Sequence, residues 1–205
     1  MKNISYEMFE MYLNDFKNHK EGIKIFYSPV KKSDLLILGF NAGGTDFYEK
    51  QEFENNTHHL KDNHEYLTEN YPIAKVQRKI LGTKLIENSV KTNLIFLRTK
   101  NIEDYNKLDK SLRNKLVNFS KKYIPKIITN TDPKLILIEG IATFDLFCKM
   151  FDVKQEKSIK NNNQRLMSFT KYMGINVIGI KHPSGSRISN NEIEQISNKV
   201  KELLK

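Results

Sequence analysis

Short apolar runs alternate with longer amphipathic stretches along the chain, which is the pattern of an α/β protein. The runs at residues 35–38, 92–97, 135–138 and 175–180 are apolar enough to be strands buried on both faces of a sheet. The alternation of helix and strand predicts a three-layer α/β/α sandwich around a roughly four-stranded parallel sheet. At 205 residues the chain is expected to form a single domain over residues 1–205.

Apolar residues three and four positions apart predict the helices that accompany these strands. The predicted helices are a leading helix at residues 5–18, a second ending at Gly82, a long one at 109–130, one after Gly140, and a closing one at 189–204. Residues 154–164 are polar and predict an exposed loop. Residues 165–170 and 175–180 flank Met173-Gly174 and predict a hairpin that leads to His182.

The first strand runs into a turn with glycines at 39, 43 and 44 and an asparagine, Asn41, among them. Glycine opens backbone conformations closed to other residues and lets a ligand approach the main chain. Ligand-binding loops cluster at the carboxyl ends of parallel strands, which is where Asn41 is predicted to lie. The alternative is an ordinary strand-to-loop turn.

The last predicted strand ends in His182-Pro183-Ser184, with Gly185 and Arg187 just behind. Two strands of one parallel sheet bring their following turns to the same edge, so Asn41 and His182 are expected to face one cleft. The alternative for His182 is a hydrogen-bonded turn residue without a chemical role.

A third polar residue, Asn93, interrupts the apolar run at residues 92–97. An amide buried without hydrogen-bond partners costs roughly 1–3 kcal/mol, so Asn93 is expected either to face a turn or to bond to something specific. A surface-facing Asn93 is the remaining alternative.

Taken in their order along the chain, these three motifs resemble those of the uracil-DNA glycosylase superfamily. The resemblance is greatest to its mismatch-specific and single-strand-selective branches. Residues 39–43 resemble a first motif Gly-x-Asn-Pro-Gly, and residues 182–187 a second motif, His-Pro-Ser followed by a DNA-penetrating loop. Residues 92–98 are similar to the segment whose Asn reads the extruded base, and 133–147 to a later strand-plus-helix unit. The chain departs from the family with Ala42 in place of proline and with no leucine wedge at 186 or 187.

The resemblance implies a role for each matched residue. Asn41 would position the water that attacks the sugar, with Asp46 as an alternative base, and His182 would donate to the base oxygen. Asn93 would read the base edge. The base would stack on an aromatic ring near the first motif, for which the candidates are Phe40, Phe47 and Tyr48.

The resemblance also implies which residues touch the DNA backbone. The glycine and serine residues that would bring main chain close to phosphates are Gly43, Gly44, Ser184, Gly185 and Ser186. Arg187 would fill the gap left by the flipped base or clamp a phosphate.

The charge of the chain agrees with a polyanionic partner. It carries 34 Lys and Arg against 24 Asp and Glu, a net charge of +10. The lysines are scattered, and biased codon usage is an alternative explanation for them. No apolar window is long enough to span a membrane and no secretory signal is evident, so a cytoplasmic protein is expected. A monomer is expected as well.

Cofactors and metals are not expected. Cys148 is the only cysteine, which excludes an internal disulfide and a four-thiolate iron–sulfur cluster. His58, His59 and His64, with Asp62, lack the definite spacing of a zinc site, and a solvated loop is the preferred interpretation.

The function expected from the resemblance is that of a monofunctional DNA glycosylase, which flips a damaged, deaminated or modified base and hydrolyses its N-glycosidic bond. It would serve base excision repair or attack modified phage DNA, and the identity of the base stays open. The alternative is an inactive module of the same fold that binds nucleic acid or a nucleotide. The sequence has no Gly-x-Ser-x-Gly elbow and no phosphate-binding loop, which argues against an unrelated hydrolase or nucleotide enzyme.

Overall fold

The computed structural model describes residues 7–8, 24–41, 43, 62–99, 102–183 and 188–205. The helices and strands, in chain order, are β1 (Leu35–Asn41), α1 (Glu65–Thr68), α2 (Pro72–Leu81), α3 (Thr83–Glu87), β2 (Val90–Ile95), α4 (Ile102–Lys107), α5 (Lys110–Thr131), β3 (Leu135–Glu139), α6 (Ile141–Phe151), β4 (Lys157–Asn161), β5 (Gln164–Tyr172), β6 (Ile175–Ile180) and α7 (Asn190–Leu203). Of the predicted leading helix, only Glu7 and Met8 are described, and both are helical.

The strands form one six-stranded sheet in the order β2-β1-β3-β6-β5-β4. The strands β2, β1, β3 and β6 pair in parallel. Strand β5 pairs antiparallel with both β6 and β4. The predicted α/β class is confirmed, but the sheet is larger than the predicted four strands and is mixed.

The difference arises at residues 154–164, where the predicted exposed loop is wrong. Strand β4 occupies Lys157–Asn161 at the edge of the sheet, and its side chains are exposed or half-buried. An edge strand with both faces near solvent carries no apolar alternation, so its sequence resembles that of a loop. The predicted hairpin about Met173-Gly174 is confirmed by the β5–β6 pairing.

Apolar side chains fill the space on both sides of the sheet. Within β1, Leu36 and Leu38 pack into one core with residues of α5 and α6, while Leu35 and Ile37 pack into the other with residues of α2 and α7. Burial on both faces explains why the central strands read as continuous apolar runs. No described helix is long and apolar enough to cross a lipid bilayer.

The long helix α5 has one face buried against the sheet and another face of polar, more exposed residues. Asp109 caps its start by accepting hydrogen bonds from the backbone N–H groups of Ser111 and Leu112, and Pro125 lies inside the helix. The side chains of Leu116, Phe119 and Tyr123 are buried against the sheet. The opposite face, which begins at Lys110, is free to line a cleft.

Candidate functional site

A cleft opens at the carboxyl ends of the central strands, where the chain changes direction. The connection after β1 includes α1 and α2, which pack on one face of the sheet, whereas β3 leads into α6 on the other face. Adjacent parallel strands whose connections leave to opposite faces create a crevice between them. The cleft has a volume of about 1500 Å³, and its lining includes Asn41, Asn93 and His182.

Polar side chains from neighbouring strands form the base of this cleft. Gly39 of β1 pairs with Asn93 of β2, and Glu139 ends β3 one residue pair beyond the last β1–β3 partners, Leu38 and Ile138. Lys91 lies two residues before Asn93 and therefore points to the same face of the sheet. We name Lys91, Asn93 and Glu139 the polar floor.

Gly39 makes room for the polar floor. A methyl group at this position would stand 3.0 Å from Lys91 Nζ, 3.3 Å from a carboxylate oxygen of Glu139, and in overlap with Asn93 Oδ1. A residue with a side chain here would push these polar atoms apart. The absence of a side chain at Gly39 therefore also lets the side chains of the polar floor pack directly against the backbone of β1.

Asn93 is buried, with 2% of its surface exposed, so the surface-facing alternative is wrong. Its Nδ2 donates a hydrogen bond of 2.7 Å to the hydroxyl of Tyr27. This bond fixes the orientation of the amide, with Oδ1 towards Gly39. Of the alternatives that the sequence left open, Asn93 is the buried amide bonded to a specific partner.

A buried ion pair joins Lys91 to Glu139, at 2.8 Å between Nζ and Oε2. The other carboxylate oxygen of Glu139 accepts hydrogen bonds from the Tyr66 hydroxyl and from Gln77 Nε2. The Lys91 ammonium also lies 5.0 Å from the ring centre of Tyr27 and 5.1 Å from that of Tyr66. The pair is thus enclosed by aromatic rings and by hydrogen-bond donors.

These partners decide the charge of Glu139. Burial on its own raises the pKa of this carboxyl, but the Lys91 charge and the hydrogen bonds to the carboxylate outweigh burial and hold the pKa below 4.5. Glu139 is therefore a carboxylate at neutral pH. This pair was not predicted from the sequence, although a charge at each of positions 91 and 139, inside or at the end of an apolar run, is a visible signal.

His182 follows β6 and lies against the turn after β3. Gly140, with a φ of 103°, accommodates it, since a methyl group on Gly140 would stand 3.1 Å from His182 Cδ2. Burial lowers the pKa of His182 below 6.5, Lys91 lowers it further, and Glu139 opposes both. The imidazole is therefore neutral at pH 7 and can donate one N–H.

Asn41 is the last residue of β1 and is half-buried. Its Nδ2 donates to the hydroxyl of Thr99, a buried residue beyond β2. Asn41 lines the cleft, and its Oδ1 is the atom of the side chain that can accept a hydrogen bond. Gly43 is exposed, and its carbonyl oxygen accepts from Arg98 Nη2 at 3.4 Å.

Phe40 packs against the core on the other face of the sheet from the polar floor. Its ring meets the ring of Tyr105 edge-on, with 5.1 Å between ring centres, and it is half-buried against the core of α5 and α6. Phe40 still contributes to the cleft lining. A base that stacks on Phe40, as predicted, would have to lie on this face of the sheet, opposite the polar floor.

The other predicted site residues lie outside the described residues. They are Gly44, Asp46, Phe47, Tyr48, Ser184, Gly185, Ser186 and Arg187. His58 and His59 are also outside this part of the chain.

His64 has a structural role, and its predicted place in a solvated loop is wrong. It is 3% exposed and caps α1, since Nδ1 accepts from the backbone N–H of Tyr66 while Nε2 contacts Ser89 Oγ at 3.1 Å. Burial lowers the pKa of His64 to about 4. Within the described residues no group of three or more His, Cys, Asp and Glu is placed to hold a metal ion.

The cleft extends beyond the polar floor to the opposite face of the sheet. There it is lined by residues of α4 and of the exposed face of α5, which are Ile102, Tyr105, Asn106, Lys110, Arg113, Asn114 and Val117. On this side of the cleft the lining combines apolar side chains with positively charged ones.

The arrangement can orient a water at Asn41, donate from a neutral His182 and read a polar ligand at the buried amide of Asn93. Comparison with protein-family models and with curated proteins finds no match to this chain.

Proposed function

We propose that this protein is a monofunctional DNA glycosylase of the uracil-DNA glycosylase type. One observation carries the proposal: Asn41, Asn93 and His182, from three separate parts of the sequence, line a single cleft at the carboxyl edge of the sheet. The proposed partner is DNA, and the proposed active form is a cytoplasmic monomer. Both repair and attack on modified phage DNA are compatible with this chemistry.

The proposed reaction hydrolyses the bond between C1′ of the sugar and the base nitrogen. The bond breaks with its electron pair on the base, the oxygen of a water bonds to C1′, and the proton that the water releases ends on the departing base, directly or through solvent. Asn41 is a poor general base, so the sugar must become cation-like before water attacks. In that sequence the task of Asn41 Oδ1 is to orient the water, and the Thr99 hydroxyl holds the amide in place.

His182 would act where negative charge develops on the base. A neutral imidazole N–H aimed at a base oxygen stabilises the leaving group more in the transition state than in the ground state. Asn93 would hydrogen-bond the base edge with the groups that Tyr27 leaves available. Because an amide both donates and accepts, its fixed orientation would decide which base edge is accepted.

A base must leave the duplex to reach the polar floor. Asn93 and Glu139 are 2% exposed, so a ligand can meet them only by entering the cleft. Extrusion of a nucleotide costs a few kcal/mol, least at a mismatched or unpaired base, and contacts to the backbone must offset this cost.

The experiment that tests the function uses a panel of oligonucleotides, each with one altered base, as single strands and as duplexes. We expect at least one altered base to yield alkali-labile abasic sites in single-turnover reactions. Uracil, mismatched thymine, deaminated purines and bulky modified pyrimidines belong in the panel. Binding of the oligonucleotides without excision of any base would replace the glycosylase by a binding module of the same fold.

Asn41→Ala is expected to lower the single-turnover excision rate by about a hundredfold while leaving the fold intact, because it removes orientation of one reactant. Asn41→Asp should keep or raise activity on a good substrate, since a carboxylate also orients water and stabilises a cation-like sugar. Unfolding midpoints of both variants serve as the control. An unaffected rate in Asn41→Ala would move the water-positioning role to Asp46.

A further inference from the structure

One side of the cleft carries positive charge that the proposed chemistry does not use. Asn106, at the end of α4, and Lys110, Arg113 and Asn114, in the first turns of α5, line the cleft on the face of the sheet opposite the polar floor. We name these four residues the α4–α5 wall. We propose that this wall binds a backbone phosphate of the DNA strand whose base enters the cleft, an inference that rests on the proposed function.

Three of the four wall residues lie on one face of α5, and Asn106 extends the wall from α4. Positions 110, 113, 114 and 117 are three, four and seven residues apart, so their side chains share one side of α5. Leu116, Phe119 and Tyr123 occupy the opposite side and are buried in the core. Core packing therefore fixes the helix in the orientation that directs its polar side to the cleft.

Arg113 lies at the centre of the wall, and its Nε forms no hydrogen bond with the described part of the chain. The side chain is half-buried, and this nitrogen is shielded from solvent. Its positive charge acts on Tyr105, whose pKa is raised by burial and lowered by Arg113. A buried donor without an acceptor is unfavourable unless a ligand supplies one.

Other cations of the cleft are already paired with acids. Lys91 pairs with Glu139, and Arg165 donates two hydrogen bonds, of 2.8 and 2.6 Å, to the two carboxylate oxygens of Asp145. Within the described residues, neither Lys110 nor Arg113 forms an ion pair with Asp or Glu. The positive charge of the wall is therefore available to an anion.

A phosphodiester is the anion that fits this site. The guanidinium presents N–H groups in a planar fork that matches two phosphate oxygens, and Lys110 adds a second positive charge one turn away. The flanking amides of Asn106 and Asn114 offer further donors. Because the polar floor and the wall lie on opposite faces of the sheet, a strand that crosses the carboxyl edge would place its base on one side and a phosphate on the other.

The test measures binding of a fluorescent single-stranded oligonucleotide with ordinary bases by anisotropy, over a series of salt concentrations. Arg113→Gln is compared with Lys115→Gln, which removes one positive charge from an exposed position of the same helix outside the cleft lining. We expect Arg113→Gln to weaken binding about tenfold at low salt and to reduce the slope of log affinity against log salt by about 0.7, since one fewer phosphate is neutralised. Lys115→Gln should leave the slope within error.

Arg113→Lys, which keeps the charge and loses the fork, should restore the slope but only part of the affinity. Lys110→Gln repeats the measurement at a second position of the wall, in case Arg113→Gln unfolds. Equal, small effects of the wall variants and of Lys115→Gln would overturn the phosphate site while leaving the glycosylase proposal in place. No binding of any oligonucleotide by the unaltered protein would instead reject the proposed function, together with the inference built on it.

Discussion

Replacement of His182 with alanine is expected to slow single-turnover base excision about a hundredfold, with DNA affinity changed by no more than a few-fold. The reason is that a neutral N–H aimed at the base oxygen gains strength only as negative charge develops there. The measurement is the excision rate at saturating enzyme beside the equilibrium binding of the same oligonucleotide. His182→Gln, which keeps an N–H donor on a side chain of similar reach, should retain more of the rate than His182→Ala.

The pH profile gives an independent check on the same residue. Burial lowers the pKa of His182 from its ordinary value, so any inflection that this group contributes to the excision rate should have its midpoint below about pH 6.5. An inflection between pH 6.5 and 8 that disappears in His182→Ala would contradict the neutral-donor role. Weaker binding with an unchanged excision rate would contradict it as well.

Removal of the Lys91 ammonium is expected to produce the largest loss of stability. Lys91→Met leaves the Glu139 carboxylate buried without its counter-charge, and breaking a buried ion pair in this way costs about 3–5 kcal/mol of the free energy of unfolding. The measurement is urea denaturation at pH 7. As a control, Lys79→Met on the exposed side of α2 should change the free energy of unfolding by no more than about 0.5 kcal/mol.

The double variant Lys91→Met/Glu139→Gln separates charge from packing. A neutral amide at position 139 can still bond to Tyr66 and Gln77, so the double variant should recover most of the lost stability. In Lys91→Met alone, burial raises the pKa of Glu139 above its unfolded value. The stability deficit should then grow as the pH rises and shrink as the pH falls. A deficit independent of pH, or no recovery in the double variant, would assign the loss to packing.

The sequence anticipated the parts of the site that depend on local pattern. Apolar runs bounded by turn residues located the central strands, and parallel strands of an α/β sheet direct their following turns to one edge. Asn41 and His182 could therefore be assigned to a common cleft, because Asn41 ends β1 and His182 follows β6. A bonded amide was one of the alternatives for Asn93, because an unsatisfied polar group inside an apolar strand is costly, but the sequence did not choose between it and a turn-facing or surface-facing Asn93.

The sequence could not show which residues meet across the sheet. Lys91 and Glu139 lie 48 positions apart, and their pairing depends on the order β2-β1-β3 and on the register between strands. Strand β4 escaped detection because an edge strand has no core-facing alternation. Strand order and the register between distant strands depend on contacts across the whole sheet, and no local window of sequence contains that information.

By itself, then, the amino-acid sequence determined the α/β class, the central strands and the polar residues that end or interrupt them, because periodicity and turn chemistry act over a few neighbouring residues. Only the tertiary structure decided that Tyr27 orients Asn93, that Lys91 neutralises Glu139, and that Arg113 lines the cleft with an Nε that bonds to no described residue. Each of these depends on contacts between distant segments, which form only when the whole sheet and its covering helices are in place.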